Sequence, residues 1–305
     1  MREKDRQQPI SDAAIRGERS SSSLRDFGLL VKFKLTLLVL FSAVMSYAIV
    51  AGERARLQDM LLLTLGGFLI TGAANALNQV LERDYDRMMT RTAGRPLPAG
   101  RMSVSTAVLY AGLMAVAGII FLAMFNPLAS FLGTLSLISY AFVYTPLKRS
   151  TPLSVVVGAV PGALPLIIGC VAHEGYVSSV AVMLFALQFL WQFPHFWAVA
   201  WLADEDYKKA GFYLLPSRSG KKDSSVGLLS FWFCVMLVAS AVLAASMGLV
   251  GWVATAMLIA LNLYWAKCCW DLKRECSREA ARKQMFVSFF HLPFSLIVLL
   301  LDRLM

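Results

Sequence analysis

Charged residues are scarce in this chain. Asp, Glu, Lys and Arg together make up 16% of its 305 residues, whereas 58% of the residues are hydrophobic and the mean hydropathy is +0.62. A soluble globular domain of ordinary composition carries about 25% charged residues. The scarcity of charge therefore excludes an ordinary soluble domain and indicates an integral membrane protein.

Cysteine and histidine are also rare. The five cysteines form no Cys-x-x-Cys pair. This pattern favours buried thiols that face a reducing compartment over a cysteine–histidine metal site.

The N-terminal segment lacks a long apolar run. Residues 1–23 are polar and include a run of four serines, and acidic residues occur among their basic ones. A cleaved signal peptide needs an apolar core, and an organellar presequence avoids acids, so neither interpretation fits. We expect residues 1–26 to form a disordered cytoplasmic tail.

Long apolar runs fill the rest of the sequence. Runs of about twenty residues are the length that a helix needs to cross a bilayer core. The predicted spans are residues 27–50, 60–82, 104–125, 128–145, 152–172, 178–202, 225–247, 249–269 and 285–302. We therefore predict an all-α integral membrane protein in which residues 27–305 form one bundle of nine transmembrane helices around a central cavity open at the cytoplasmic side.

The net charge of +10 follows the predicted topology. With the N-terminus inside, all but three of the 29 Lys and Arg residues fall in inner segments, and the exceptions are Arg54, Arg56 and Arg303. This is the charge asymmetry typical of cytoplasmic loops. The basic surplus therefore predicts a cytoplasmic N-terminus and gives no reason to expect nucleic-acid binding.

A polar stripe ends the second predicted span. On a helix its four members fall within an arc of about 80°. They are two amides and two carboxylates: Asn75, Asn78, Glu82 and Asp86. Acids are unfavourable at a helix C-terminus, so they indicate function, and Arg91 and Arg95 follow them. This arrangement suits a divalent metal and a phosphate-rich ligand.

The sixth and fourth spans supply further candidates. Gln188, Gln192, His195 and Asp206 share a stripe of the sixth span, and Lys209 follows it. Polar residues within a membrane tend to face a cavity, so we expect His195 to contact a substrate. Tyr144 and Lys148, four residues apart, can face the same vestibule. Lys32 and Lys34 are either orientation anchors or cavity residues, and the sequence leaves this open.

These motifs resemble the intramembrane prenyltransferases, which carry acidic motifs at the cytoplasmic ends of the second and sixth of nine helices. The pattern Asn78-x3-Glu82-x3-Asp86 with Arg91-Thr92-x2-Arg95-Pro96-Leu97-Pro98 is similar to their first motif. His195-Phe196-Trp197 and Asp206-Tyr207-x2-Ala210-Gly211 are similar to the branch that prenylates heme.

The resemblance implies a reaction and a set of residue roles. Farnesyl diphosphate ionises with the help of Mg²⁺, a vinyl group of heme B captures the farnesyl cation, and water adds to give heme O. The implied catalytic residues are Asn78, Glu82, Asp86 and Asp206, of which the three acids bind metal. The polar stripes, the basic residues after them and the resemblance together give the predicted substrate-binding residues: Asn75, Arg91, Arg95, Tyr144, Lys148, His195 and Lys209.

The resemblance also implies a location and partners, and the sequence departs from the family pattern at two positions. We expect a multi-pass protein of the bacterial inner membrane, with heme-handling or oxidase-assembly membrane proteins as partners. Glu82 stands where many relatives have Asp, and Lys32-Phe33-Lys34 replaces a common Lys-Pro dipeptide.

Other functions stay open at this point. One is prenylation of an aromatic quinone precursor such as 4-hydroxybenzoate. A multi-pass transporter is more distant, because the acids lie at the inner helix ends rather than at the membrane midplane. A scaffold without chemistry has no use for paired acidic stripes.

Overall fold

The computed structural model describes residues 23–217 and 221–305, and every regular element within these ranges is a helix. Within these ranges, nine helical segments are long and apolar enough to span a membrane. The helices are α1 (Phe33–Ala51), α2 (Leu57–Leu81), α3 (Val104–Ala123), α4 (Pro127–Ile138), α5 (Ser154–Glu174), α6 (Ser179–Leu202), α7 (Ser224–Ser246), α8 (Trp252–Glu275) and α9 (Arg278–Leu304). The fourth span, Pro127–Leu147, begins with α4 and continues beyond it. The predicted nine-helix membrane fold is confirmed.

Polar side chains set the starts of several spans. Ser103, Asn126, Ser178 and Ser277 each accept a hydrogen bond from the backbone N–H three residues later, at the starts of α3, α4, α6 and α9. Such caps satisfy N–H groups that have no partner within the helix. The helix starts therefore follow from the sequence.

The fourth span is not a uniform α-helix. After α4 ends at Ile138, the chain continues through a π-helical segment, Ser139–Tyr144, and a last turn, Thr145–Leu147. π-Helical turns are rare and occur often at functional sites. Two tyrosines lie in this segment: the Tyr140 hydroxyl is 3.5 Å from Lys32 Nζ, and the Tyr144 ring packs against Gly158.

The first predicted span, residues 27–50, is divided. Residues 23–30 are helical, Lys32 adopts a left-handed conformation with φ 50°, and α1 begins at Phe33. Side chains of α2 satisfy the carbonyl groups that the break exposes: Asn75 donates to the Val31 carbonyl, and Gln79 donates to the carbonyls of residues 29 and 30. Irregular backbone at membrane depth needs such partners.

The predicted cytoplasmic tail comprises residues 1–26, of which residues 1–22 lie outside the described residues. Its last four residues are helical, and Asp26 is buried. Arg101 donates to the Asp26 carboxylate through Nε and Nη2 at 2.9–3.1 Å. This two-pronged ion pair holds the chain before α1 against the loop between α2 and α3.

The apolar core has three clusters. One joins helices α1 to α5, a second joins α5 to α9 and also includes residues of α1, and a third lies around the inner part of α6 and includes Met89 and Phe212 from the loops. Helices approach closely at glycines: a Cβ on Gly169 would lie 2.1 Å from the Ala43 carbonyl oxygen of α1, and one on Gly227 would lie 2.3 Å from the Lys273 nitrogen of α8. Small residues allow this close packing in membranes. The bundle thereby brings the ends of α2, α4 and α6 together.

Candidate active site

Two carboxylates are buried where α2 ends. The helix stops at Leu81, and the chain bends at Glu82 into a short helix, Arg83–Asp86. Glu82 is 5% exposed and Asp86 is 0% exposed, whereas the side chain of Asp84 is 64% exposed. The bend therefore turns alternate acids in opposite directions, and the predicted stripe faces the interior.

Three cations surround these carboxylates. Lys148 Nζ lies 2.6 Å from Glu82 Oε1, and Arg95 Nη1 lies 2.7 Å from Asp86 Oδ2. Lys32 Nζ donates to Asn78 Oδ1 at 2.8 Å. Arg95 and Lys148 balance the two carboxylates, whereas burial, followed by the charges of Arg95 and Lys148, lowers the pKa of Lys32 to about 7. An anion that enters from the mouth of the bundle therefore favours the protonated form of Lys32.

Lys148 joins the charged cluster to aromatic rings. Its Nζ lies 4.8 Å from the ring centre of Tyr144 and 5.8 Å from that of Phe212. Burial alone would lower the pKa of Lys148, but the adjoining Glu82 carboxylate and nearby phenol groups outweigh burial and hold this pKa above its usual value. Lys148 is therefore a permanent cation of the site.

Lys32 is a site residue that the sequence did not assign. It lies at the break before α1, where its Nζ reaches Asn78 and also lies 3.5 Å from the Tyr140 hydroxyl. The following Lys34 is exposed. Hydropathy places both lysines at the membrane boundary but does not reveal the left-handed turn that directs Lys32 inward.

An aromatic cavity of about 100 Å³ adjoins the charged cluster. It is lined by Tyr144, Val155, Gly158, Phe196, Val199, Tyr207 and Leu214. Gly158 makes room for the Tyr144 ring, because a Cβ there would lie 2.5 Å from a ring carbon. The cavity is smaller than the roughly 300–1,000 Å³ typical of ligand pockets. It must therefore widen to hold a long apolar chain.

The metal assignment of Glu82, Asp86 and Asp206 stays a prediction. Within the two described ranges, no group of three or more His, Cys, Asp or Glu side chains gathers around a point that could hold a metal ion. Asp86 Oδ1 is nevertheless buried and has no hydrogen-bond partner among the described residues. A bare carboxylate oxygen is a ligand that Mg²⁺ prefers, and this ion usually takes one or two carboxylates together with phosphate oxygens and water.

Asp206 lies at the rim of the site. Its carboxylate accepts hydrogen bonds from the backbone N–H groups of Arg91 at 3.1 Å and Thr90 at 3.3 Å, and Lys209 Nζ lies 3.3 Å away. The Arg91 N–H, followed by Lys209, lowers the pKa of Asp206. The guanidinium of Arg91 lies 5.8 Å from the ring centre of Tyr207. Asp206 thus links the two acidic motifs through the backbone that follows Asp86.

Two predicted substrate-binding residues lie away from the charged cluster. Asn75 donates to the Val31 carbonyl and to Thr36 Oγ1, so it supports the break before α1. His195 lies against α9, with Nδ1 2.7 Å from Ser288 Oγ, while its neighbour Phe196 lines the cavity. The structure therefore brings together Asn78, Glu82, Asp86, Arg95, Tyr144 and Lys148, places Arg91, Asp206 and Lys209 at the rim, and sets Asn75 and His195 apart.

A family model described as the UbiA prenyltransferase family matches residues 39–291. The chain belongs to this family. The matched region includes both acidic motifs and the cavity residues. Membership makes the protein a membrane-embedded prenyltransferase, in agreement with a buried, phosphate-suited charge cluster beside an aromatic cavity.

Curated relatives match nearly the whole chain. A protoheme IX farnesyltransferase from Cytophaga hutchinsonii is 40% identical over 286 residues, which cover 93% of this chain and 99% of the relative. One from Christiangramia forsetii is 40% identical over 290 residues, covering 93% and 95%. The prediction that this chain is similar to protoheme IX farnesyltransferase is confirmed.

Solved structures share the fold at lower identity. A digeranylgeranylglyceryl phosphate synthase aligns with a TM-score of 0.76 at 18% identity, covering 93% of this chain and 99% of that one. A UbiA homolog from Archaeoglobus fulgidus bound to GPP and Mg²⁺ aligns with a TM-score of 0.68 at 17% identity, covering 90% and 99%. These likenesses establish the arrangement of the helices.

The inward lysine gives a testable expectation. Lys32→Met removes one cation of the site, whereas Lys34→Met removes an exposed neighbour. We expect Lys32→Met to weaken binding of inorganic diphosphate by about tenfold or more, because a hydrogen bond to a charged group contributes roughly 1.5–3 kcal/mol. Calorimetric titration of the solubilised protein with diphosphate and Mg²⁺ measures the effect. Equal affinity in the two variants would show that Lys32 serves only as an anchor.

Proposed function

We propose that this protein transfers the farnesyl group of farnesyl diphosphate to a vinyl side chain of heme B, with addition of water, to give heme O and diphosphate. The main support for this proposal is the buried cluster of carboxylates and cations beside an aromatic cavity, in a chain 40% identical over 93% of its length to a protoheme IX farnesyltransferase. The cluster suits the diphosphate, and the cavity suits the prenyl chain.

Diphosphate is bound by Lys32, Arg95 and Lys148. Their side-chain nitrogen atoms lie within hydrogen-bond distance of Asn78, Asp86 and Glu82, respectively. A phosphate group bound beside these three polar residues would therefore lie among the three basic side chains. Arg91 and Lys209 extend the positive charge to the rim. Positive groups aimed at the leaving diphosphate stabilise the charge that develops when the allylic C–O bond breaks.

Glu82 and Asp86 are the carboxylates that would hold Mg²⁺ together with diphosphate oxygens, and the unpartnered Asp86 Oδ1 fits such a ligand. A bound Mg²⁺ supplies positive charge to the departing diphosphate. Asp206 acts in the same region from the rim, through its contact with the Thr90 and Arg91 backbone.

The cavity governs what happens to the farnesyl cation. The C–O electron pair leaves with diphosphate, and the terminal vinyl carbon of heme B forms a bond to the farnesyl C1. Water then adds to the cationic carbon next to the porphyrin ring and loses a proton. Tyr144, Phe196 and Tyr207 exclude water before this point and attract the cation through their ring faces.

Prenylation of 4-hydroxybenzoate is the main alternative, because the same charge cluster serves any allylic diphosphate. The identity to protoheme IX farnesyltransferases favours heme B. A transporter is disfavoured, because the buried acids lie at the end of α2 and not at its centre. Transporter sites lie near the bilayer midplane.

The protein is a multi-pass membrane protein, and its orientation is part of the proposal. The distribution of Lys and Arg supports a cytoplasmic N-terminus and, with it, a charged cluster on the cytoplasmic side of a bacterial inner membrane. Water-soluble Mg²⁺ and the diphosphate group reach the site from that side, while heme B and the farnesyl chain enter from the bilayer. Heme-handling or oxidase-assembly partners stay a prediction.

The substrate is tested directly with the solubilised enzyme. Farnesyl diphosphate and Mg²⁺ are supplied with either heme B or 4-hydroxybenzoate, and mass spectrometry identifies the product. We expect heme O from heme B and no prenylated benzoate, since the relatives at 40% identity are heme-directed. Prenylated benzoate without heme O would replace the proposed function by the alternative.

The metal-binding carboxylate is tested with a matched pair of acids. Asp86→Asn removes the charge of the buried acid, whereas Asp84→Asn changes an exposed acid on the same short helix. We expect Asp86→Asn to lower kcat about 10²–10³-fold, as loss of a group that stabilises developing charge does. Asp84→Asn should stay near wild type. Normal heme O production by Asp86→Asn, in protein whose thermal unfolding matches wild type, would remove the metal assignment.

A further inference from the structure

His195 belongs to a hydrogen-bonded cluster between α6 and α9. Its ring stacks on Trp191 at a centroid distance of 4.6 Å and an angle of 14°. Trp191 Nε1 donates to the Ser288 carbonyl at 3.1 Å, and His195 Nδ1 lies 2.7 Å from Ser288 Oγ. Ser288 is 0% exposed. One residue of α9 therefore fixes both the ring that supports His195 and one nitrogen of His195 itself.

The hydrogen bonds determine which nitrogen carries the proton. Ser288 Oγ also lies 2.5 Å from the Met285 carbonyl oxygen, which can only accept. The single hydroxyl proton of Ser288 is donated to that carbonyl, so the hydroxyl oxygen must accept from His195 Nδ1–H. No carboxylate hydrogen bonds to His195 in the described part of the chain, and the neutral imidazole is the form that can bind a metal. Nε2 then carries the lone pair, and it has no hydrogen-bond partner among the described residues.

The surroundings of His195 suit a flat apolar ligand. Phe196 and Phe289 contact the imidazole edge-on at centroid distances of 5.5 and 5.4 Å. Phe289 is 45% exposed on the outer face of the bundle, and Phe196 lines the aromatic cavity. His195 itself is partly exposed. It therefore lies between the lipid-facing surface and the cavity in which we place prenyl transfer.

We propose that Ser288 is a positioning residue that holds His195 with its proton on Nδ1, so that Nε2 ligates the iron of the porphyrin substrate. Histidines that bind metals commonly donate their other N–H to a fixed acceptor, which sets the tautomer and the ring orientation. The Ser288 hydroxyl, itself anchored on the Met285 carbonyl, is such an acceptor. This inference rests on the proposed function, since it takes heme B as the substrate.

The test measures heme binding in the absence of farnesyl diphosphate. Full-length solubilised protein is titrated with heme B, and the absorption and electron paramagnetic resonance spectra report the iron ligand. We expect wild type to give a histidine-ligated spectrum and His195→Gly to lose it. Added imidazole should restore the spectrum of His195→Gly, which shows that this variant is folded.

The decisive variants lie on α9. Ser288→Ala should weaken heme B binding by about tenfold, as loss of a partner of a metal-ligating histidine does, while the KM for farnesyl diphosphate stays unchanged. Ser288→Thr keeps a hydroxyl and should retain the wild-type spectrum. Ser295→Ala is the control, because Ser295 is equally buried on α9 and its hydroxyl has no hydrogen-bond partner among the described residues.

Three outcomes would overturn the inference. The first is a wild-type spectrum and heme affinity in Ser288→Ala, and the second is an unchanged spectrum in His195→Gly. The third is an equal loss of heme affinity in Ser288→Ala and Ser295→Ala, which would reflect packing of α9. Failure of the proposed function is recognised separately, because heme O production by wild type is a different measurement from ligation of the iron.

Discussion

Burial of carboxylates at the end of a transmembrane helix is the constraint on which the rest of the structure depends. A buried charge is costly unless opposite charge and hydrogen bonds compensate it. Here Glu82 has Lys148, and Asp86 has Arg95. Removing one partner of a buried ion pair typically costs about 3–5 kcal/mol, because the other charge is left uncompensated. The cations therefore have to come from several parts of the chain, and the fold supplies them.

The supply of cations explains the irregular features of the bundle. The left-handed turn at Lys32 directs one lysine inward, and the π-helical segment of the fourth span precedes Lys148. Both irregularities expose backbone or aromatic groups that need partners, and amides of α2 serve the first of them. The helix interruptions therefore occur next to Lys32 and Lys148, the two lysines that the fold brings to the buried carboxylates.

The parts of the fold that depend on hydropathy could be predicted from the sequence. Nine apolar runs gave nine spans, and the spacing of Asn78, Glu82 and Asp86 gave the inward stripe. The role of Lys32 could not be predicted, because a single left-handed residue leaves no mark on hydropathy. For Asn75, periodicity indicated the correct face of the helix but not that its side chain donates to the Val31 carbonyl group. The position of a residue on a stripe predicts which way its side chain points, whereas tertiary packing determines which group it contacts.

The contact partners of Asp206 and His195 also depend on tertiary packing. Asp206 was singled out by its place on the stripe of the sixth span, but periodicity did not indicate that its oxygens accept the backbone N–H groups of Thr90 and Arg91. His195 was predicted to contact substrate from its place on the stripe of α6. The residue that orients it, Ser288, lies 93 positions away, and no local pattern links the two.

We propose that Glu82 and Asp86 hold a divalent ion together with diphosphate. Mn²⁺ in place of Mg²⁺ makes this site visible to electron paramagnetic resonance, with phosphorus coupling as the readout. We expect Mn²⁺ to bind the wild-type protein in the presence of diphosphate, with coupling to its phosphorus nuclei, and this signal to disappear in a variant with both carboxylates changed to amides. A phosphorus-coupled signal of equal strength in that double variant would show that the two carboxylates do not hold the ion.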